Sequence, residues 1–475
     1  MDDANAMDGQ QVCYLTKVPV ELLLRITYYL PTADLGNVRL TCKALERSLF
    51  HFFSHEFFRK KQFMVFTDSL QALVDISRHP ALSQCLRHVI IATDRISTTD
   101  VSSRPASVSA ALLAAYADHK SLLATGVLRD MLAEAFGNLP NLETVDLRDF
   151  NARNRNRDGF GTSWSSYGST TLAAATGGPL TMDAGDGVKY TSLLFLAIIA
   201  ALGTANARPQ SIESVLRGRG AGLANNSFLI HDRLLPSVTP VLFNLKKLHL
   251  NFHATSKIID STRADYLDPV HFKKFLSLTP NLTWLRLNLD YASYQNADPL
   301  LTWLGLLPTE QPPNPSDLPP TTFEFLEQLD LGGVTVAPKT LLKLLIKFSP
   351  TLRTVSLRRV TLHDDVNLVA NRYNVWAKLF TKLSKQSAMV SLRTVDITLP
   401  FQSTVDGWTG VTEFTHPKKN TRSRVYSRSD SPKFLEMAAA DFQPCWPEAP
   451  ANHIDSSSDS EEDSDEDMDF AELAH

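Results

Sequence analysis

The chain has 475 residues, 43% hydrophobic and 21% charged. Those are ordinary globular values and exclude a collagen-like or wholly disordered chain. The longest apolar run, Leu193–Leu202, has ten residues, about half of the ~20 that a membrane-spanning helix needs. The first residues, MDDANAMDGQQ, are polar and acidic, unlike a secretory leader. We therefore read a soluble, non-secreted protein of the cytoplasm or nucleus. Ten of the 51 acids lie in 455–475, where no Lys or Arg occurs. The preceding residues keep a modest basic excess, 47 basic against 41 acidic side chains. That excess is too dilute for a nucleic-acid face. The four cysteines, Cys13, Cys42, Cys85 and Cys445, are too far apart in sequence for a CxxC zinc pair or a disulfide framework.

In chain order, residues 1–13 read as disordered and 14–60 as three short helices. Pro19 suits a first helical turn, and Leu22, Leu23, Ile26 and Leu30 follow at helical spacing. Pro31 ends that helix, and Thr32 is expected to cap the next, which carries Asp34, Leu35 and Val38. The third helix runs into a stretch with seven phenylalanines between 50 and 66. So much aromatic surface must be buried against the part of the chain beyond it. His51 and His55 stand four apart on this helix without a third metal ligand nearby and read as structural.

The string VPVELLLRITYYLPTADLGNVRLTCKALERSL resembles an F-box. Pro19, Glu21, Leu22, Leu23, Ile26, Leu30, Pro31, Asp34, Leu35, Cys42, Lys43 and Leu45 fit that family's pattern, and Val18 replaces its usual first leucine. The resemblance implies docking on a Skp-type adaptor, and through it on the cullin and RING subunits of a ubiquitin ligase. The residues it assigns to the adaptor are Val18, Pro19, Leu22, Leu23, Ile26, Leu30, Pro31 and Leu35.

Beyond the helices a short phrase, xLxxLxL, recurs at 85–91, 141–147, 244–250, 281–287, 325–331, 351–357 and 391–397, with a weaker copy at 211–217. The spacing is longer and less regular than the ~20–29 residues of true leucine-rich repeats. Residues 61–400 therefore read as leucine-rich-repeat-like units, each a strand plus at least one helix, stacked into an irregular solenoid with a curved parallel sheet. Helices are expected at 67–79, 190–202, 272–278, 338–348 and 375–383. The fold class is α/β. Two segments interrupt the array: the Gly/Ser/Thr-rich 151–187, read as a flexible insertion, and the Pro-rich loop 308–322. Residues 401–475 read as an irregular basic and then acidic disordered tail. In that tail Ser458, Ser460 and Ser464 each have an acid three residues on, which suits an acid-directed kinase.

An F-box ahead of leucine-rich-repeat-like units resembles the F-box/leucine-rich-repeat proteins, most closely the filamentous-fungal F-box families. The phrases at 207–228 and 242–251 carry that closeness. The resemblance implies a substrate receptor, or alternatively an adaptor-bound scaffold that supports no ubiquitin transfer. Within each phrase the leucines should face the core and alternate residues should face outward. Arg148, Lys247, His249, Trp284, Arg286 and Arg358 are the candidates for contacting a protein substrate, Trp284 as an aromatic anchor beside Arg286. No Gly-x-Ser-x-Gly or His-Glu-x-x-His motif occurs. A non-catalytic chain without cofactor or metal is expected, with neither nucleic acid nor membrane as partner.

Overall fold

The computed structural model describes residues 14–96, 105–153, 156–159, 163–178, 180–182, 187–218, 222–252, 269–289, 297–312, 318–363, 374–403, 409–411 and 422–442. Ten strands form the main sheet: β1 (Lys60–Met64), β2 (His88–Ala92), β3 (Thr144–Arg148), β4 (Ser211–Val215), β5 (Lys247–Phe252), β6 (Trp284–Leu289), β7 (Gln328–Gly332), β8 (Thr354–Arg358), β9 (Thr394–Thr398) and β10 (Ser423–Ser427). Their order across the sheet is their order along the chain. The first nine pair in parallel, and β10 pairs antiparallel with β9. Sequential parallel strands joined by helices are what stacked repeat units produce, because each unit can bury its apolar face only against its neighbours.

The helices are α1 (Val20–Tyr28), α2 (Thr32–Thr41), α3 (Lys43–Phe58), α4 (Thr67–Arg78), α5 (Leu82–Cys85), α6 (Ala106–Thr125), α7 (Val127–Gly137), α8 (Ser169–Thr176), α9 (Gly187–Ala205), α10 (Leu235–Asn244), α11 (Val270–Ser277), α12 (Asp298–Gly305), α13 (Pro338–Phe348), α14 (Val375–Ser384) and α15 (Phe434–Phe442). No helix among the described residues is long and apolar enough to cross a membrane. The phrase leucines lie buried in one continuous core with the helices: Leu248 and Leu250, Leu285 and Leu287, Leu329 and Leu331, Leu357, and their equivalents. Alternation with period two is clean in β6, β8 and β9. One face of the sheet is therefore the helix-covered core, and the other carries the polar side chains.

The last three units share a turn at the strand exit. Gly333, Arg359 and Leu399 occupy equivalent positions and have left-handed backbone, with φ of 62°, 52° and 49°. Each turn leads into a short second sheet (Thr335–Val336, Thr361–His363, Phe401–Ser403) whose strands pair in parallel, with Thr409–Val411, also read as disordered tail, added antiparallel at its end. Just before this turn, Gly332 lies against β6. A Cβ there would sit 2.3 Å from Asn288 Oδ1, so a larger residue would have to displace the Asn288 side chain.

Two sequence expectations are corrected. Residues 423–442, read as part of a disordered tail, close the array. β10 runs antiparallel along β9, and α15 packs on α14. Tyr426 is buried and donates its hydroxyl to Asp441 at 2.9 Å, and Phe442 stacks on Trp376 and Phe380 at 5.7 and 5.8 Å. The insertion at 151–187, read as flexible, is structured where it is described. Tyr167 bridges to Phe63 of β1, its N–H donating to Gln62 O at 2.9 Å. Ser166 accepts from Gln62 Nε2 at 3.0 Å and donates to Asp94. The Pro-rich loop is anchored where described, with Leu318 O accepting from Trp303 Nε1 at 2.9 Å and Thr321 O from Lys347 Nζ at 2.7 Å.

The three N-terminal helices have a separate core of five buried side chains, Leu23, Leu35, Leu45, Leu49 and Phe57. Burying five such side chains contributes roughly 10 kcal/mol. Ordering some 45 residues costs several times that, so the module depends on the rest of the chain. The insertion supplies the brace. Arg157, 4% exposed at its side chain, ion-pairs with Glu56 through both carboxylate oxygens and donates to Thr27 O at 3.1 Å and Leu30 O at 2.9 Å. Asp158 accepts from Thr32 N at 2.8 Å and from the Thr32 hydroxyl at 2.6 Å. The N-terminus of α2 is thus capped from 126 residues away, and not by Thr32's own side chain, as the sequence suggested. At α4 likewise Asp118 accepts from Thr67 N at 2.9 Å.

Replacing Arg157 with Ala leaves Glu56 half-buried without its partner and two carbonyls without theirs. We expect a loss of about 3 kcal/mol of local stability. Hydrogen exchange in α1 and α3 should quicken roughly a hundredfold while amides in β5–β8 keep their protection. Equal acceleration throughout the chain would show that the module has no separate dependence on the brace.

Candidate functional site

Two surfaces carry the side chains that the sequence singled out. The first lies on the braced helices. Leu22 and Ile26 sit one turn apart on α1, with Tyr29 three residues on, so they share one face. They are 51%, 50% and 82% exposed. Pro19 and Pro31 are exposed beside them, as are Tyr14, Leu15, Val20, Tyr28 and Leu40. So many large apolar groups within thirty residues form a surface of the kind that marks a protein contact. Of the eight residues assigned to an adaptor, Pro19, Leu22, Ile26 and Pro31 are therefore on the surface. Val18 and Leu30 are half-buried against the small core, and Leu23 and Leu35 are inside it. The last two hold the helices and do not present to a partner, a correction to the expectation. Tyr14, Tyr29 and Leu40 were not singled out from the sequence. For Tyr29 a signal was available, the α1 face opposite Leu23 and Thr27, whereas Tyr14 precedes α1 and Leu40 lies on α2.

The second surface is the polar face of the sheet. The strand register places Asp146, Glu213, His249, Arg286, Asp330, Ser356 and Asp396 in one row, each directly beside the next. The outward direction was read correctly, since none of these side chains enters the leucine core. Exposure was not. Asp146, His249 and Asp330 are buried, Arg148, Trp284, Arg286 and Arg358 are half-buried, and Lys247 alone of the six substrate candidates is exposed. The cause is the ladder itself. Strands ~4.8 Å apart bring the side chains of the row and the residues flanking it into contact, and they cover one another.

The contacts are specific. Arg148 Nε pairs with Asp146, which also receives His88 Nε2 at 3.3 Å. His249 Nδ1 lies 3.8 Å from Glu213, and its ring meets the edge of Trp284 at 4.4 Å between centroids. Trp284 donates its indole N–H to Asp330 at 2.8 Å, and Lys247 Nζ lies 5.0 Å from the Trp284 ring. Burial alone would raise the Asp146 carboxyl, but the Arg148 guanidinium and His88 bring it below the usual carboxylate range. Burial raises Asp330, partly opposed by Arg286 and the Trp284 hydrogen bond. Burial likewise raises Asp396, opposed by Arg358 and Arg286. Burial lowers His249 to about 4, with Glu213 opposing and Arg286 assisting.

His88, Asp146 and Glu213 bring one ligand atom each within 4.8 Å of the others, the spacing of a metal site. Arg148 already sits on the Asp146 carboxylate where a cation's charge would go, so the group reads as an ion-pair cluster. Cys42 and Cys85 are half-buried free thiols. Ser458, Ser460 and Ser464, like Cys13 and Cys445, lie outside the described residues.

Comparison with known proteins bears on the first surface. Residues 15–56 match the F-box-like domain family. No curated protein sequence matches the chain. Among solved structures the chain is similar to the leucine-rich repeat-containing protein LegL7 from Legionella pneumophila, at 14% identity over 79% of this chain and 98% of that one, with a TM-score of 0.27. The repeat reading of this chain rests on its own strand order and phrase spacing.

The buried imidazole makes a pH prediction. His249 is neutral in the folded chain down to about pH 4 and protonates near 6.5 when unfolded. The unfolded state then binds more protons between those values. Stability is full above pH 6.5 and falls as pH drops toward 4. At pH 5 the loss is about 2 kcal/mol. A His249→Asn variant should lose less stability between pH 7.5 and 5 than the parent, measured by urea unfolding at both pH values. Equal losses would show that His249 is not the group responsible.

Proposed function

We propose that this chain is the substrate-recognition subunit of a Skp–cullin–F-box ubiquitin ligase. The observation that carries this reading is the row of exposed apolar residues Pro19, Leu22, Ile26, Tyr29 and Pro31 on helices that match the F-box-like family. A Skp-type adaptor would cover that row and link the chain to cullin and RING subunits. The polar face of the repeat sheet would hold a protein substrate, with Trp284 as anchor and Lys247, Arg286 and Arg358 as charged contacts. The chain would supply no bond-making chemistry. Its contribution would be effective concentration, holding the substrate within reach of the ubiquitin-loaded subunits.

Placement of the helices makes the test discriminating. Co-expressed with the Skp-type adaptor, the parent chain should capture adaptor and cullin. A Leu22→Asp, Ile26→Asp double variant should capture neither, with its unfolding midpoint nearly unchanged, because both side chains already face water. Leu23→Ala should instead cost 2–5 kcal/mol of module stability, about the value for a buried leucine. Capture by the Leu22/Ile26 variant would overturn the reading. Capture of adaptor without cullin by the parent would leave an adaptor-bound scaffold.

A further inference from the structure

A groove of about 700 Å³ runs along the rim where the strands of the later units begin. Its cationic lining comes from the residues just before the parallel strands, Lys246, Arg353 and Arg393, and from Arg428, just after β10. Because β10 runs the opposite way, its end meets the other strands' beginnings, and Arg428 N donates to Arg393 O at 2.7 Å. Glu327 is the one acid in the lining, and Arg353 already pairs with it at 3.4 Å. Arg428 donates Nη2 to Met389 O at 3.0 Å and has no hydrogen-bond partner for its buried Nε. Phe325, half exposed, adds an apolar side. Such a groove suits an extended, strongly acidic peptide.

This chain contains one. Residues 455–475 hold ten carboxylates and no Lys or Arg. We propose that this segment docks in cis in the groove, its carboxylates pairing with Lys246, Arg393 and Arg428. The attachment permits it. α15 begins beside the groove, since the Arg428 guanidinium lies 5.7 Å from the Phe434 ring. The nine residues of α15 span about 14 Å at 1.5 Å each. Residues 443–454 then reach up to ~40 Å when extended. A tether of that length gives a local concentration in the millimolar range, which favours the chain's own segment over a free acidic peptide. Phosphate on Ser458, Ser460 or Ser464 would tighten the contact through added negative charge. Docking of this segment does not depend on the adaptor reading.

The test is zero-length carbodiimide cross-linking of the full chain, read by peptide mass spectrometry. The expected product is an intramolecular amide between Lys246 and carboxylates of 455–475, lost at high salt and falling about tenfold in an Arg393→Glu variant of unchanged unfolding midpoint. If that variant does not fold, Arg393→Gln serves, with a smaller drop. A second measurement uses a labelled synthetic peptide of residues 455–475. It should bind a full chain whose ten tail acids are replaced by Asn and Gln about tenfold more tightly than it binds the parent, where the groove is occupied. Cross-links spread evenly over surface lysines, or an Arg393→Glu variant with Lys246 cross-links intact, would overturn the proposal. Equal affinity of the peptide for both chains would also overturn it, placing the segment elsewhere.

Discussion

The structure depends on one constraint: a strand–helix unit of this chain has an apolar face it cannot bury alone. Stacking satisfies that face, and the parallel ladder that results holds its register through nine strands. Register then decides what happens on the opposite face. Once Leu248 stands beside Leu285 and Leu329 in the core, His249, Arg286 and Asp330 stand side by side on the other surface, because side chains alternate strictly along each strand. The charged row is thus a consequence of core packing and needs no separate organising element. Arg286 stands beside Asp330 in that row and Arg148 pairs with Asp146 from two residues along, so much of this face is buried by its own polar side chains.

A sheet assembled this way has two open ends, and unpaired strand edges invite association with other chains. The molecule closes each with a segment that is not a repeat. At the first edge Tyr167 pairs with β1, and the same insertion sends Arg157 and Asp158 into the three-helix module. At the last, β10 reverses direction and α15 covers the hydrophobic end with Phe434, Phe442 and their neighbours. The first closure has a mechanical consequence. The helices that expose Leu22 and Ile26 are joined to the sheet by buried charge-assisted hydrogen bonds as well as by chain connectivity, so a partner on those helices sits at a defined position relative to the polar face.

The architecture was legible in the sequence because it is written in periodicity. The xLxxLxL phrases located seven of the ten strands and the weak copy at 211–217 an eighth, and the expected helices fall within a few residues of those observed. What escaped the reading was written in long-range pairing. Arg157 and Asp158 lie in a Gly-rich stretch without pattern, and their partners Glu56 and Thr32 are more than a hundred residues away. The sequence Ser-Arg-Val-Tyr-Ser of β10 lacks leucine, so it reads as a basic loop. The spacing of Phe434, Leu435, Ala438, Ala439 and Phe442 is helical and would have revealed α15. At the candidate site, alternation gave the direction of each side chain correctly. It could not give exposure, because Asp146 and Asp330 are covered by side chains of neighbouring strands, His88 and Trp284, as well as by Arg148 and Gln328 of their own.

Burial of that row shapes what the polar face can recognise. A partner that removed Arg148 from Asp146, or Trp284 from Asp330, would leave a carboxylate without its partner in a dry place, which costs more than the new contact returns. On the proposed reading a protein substrate would therefore meet the residues beside the row, where Lys247 is exposed and Arg358 half-buried, while the row itself keeps its pairs. A face so divided can change the side chains beside the row without disturbing the ladder. The basic rim at Lys246, Arg353, Arg393 and Arg428 lies at the border where the parallel strands begin. Arg353 and Arg393 stand between the buried apolar residues of their phrases, the places where a repeat of this kind can change side chains without losing its core.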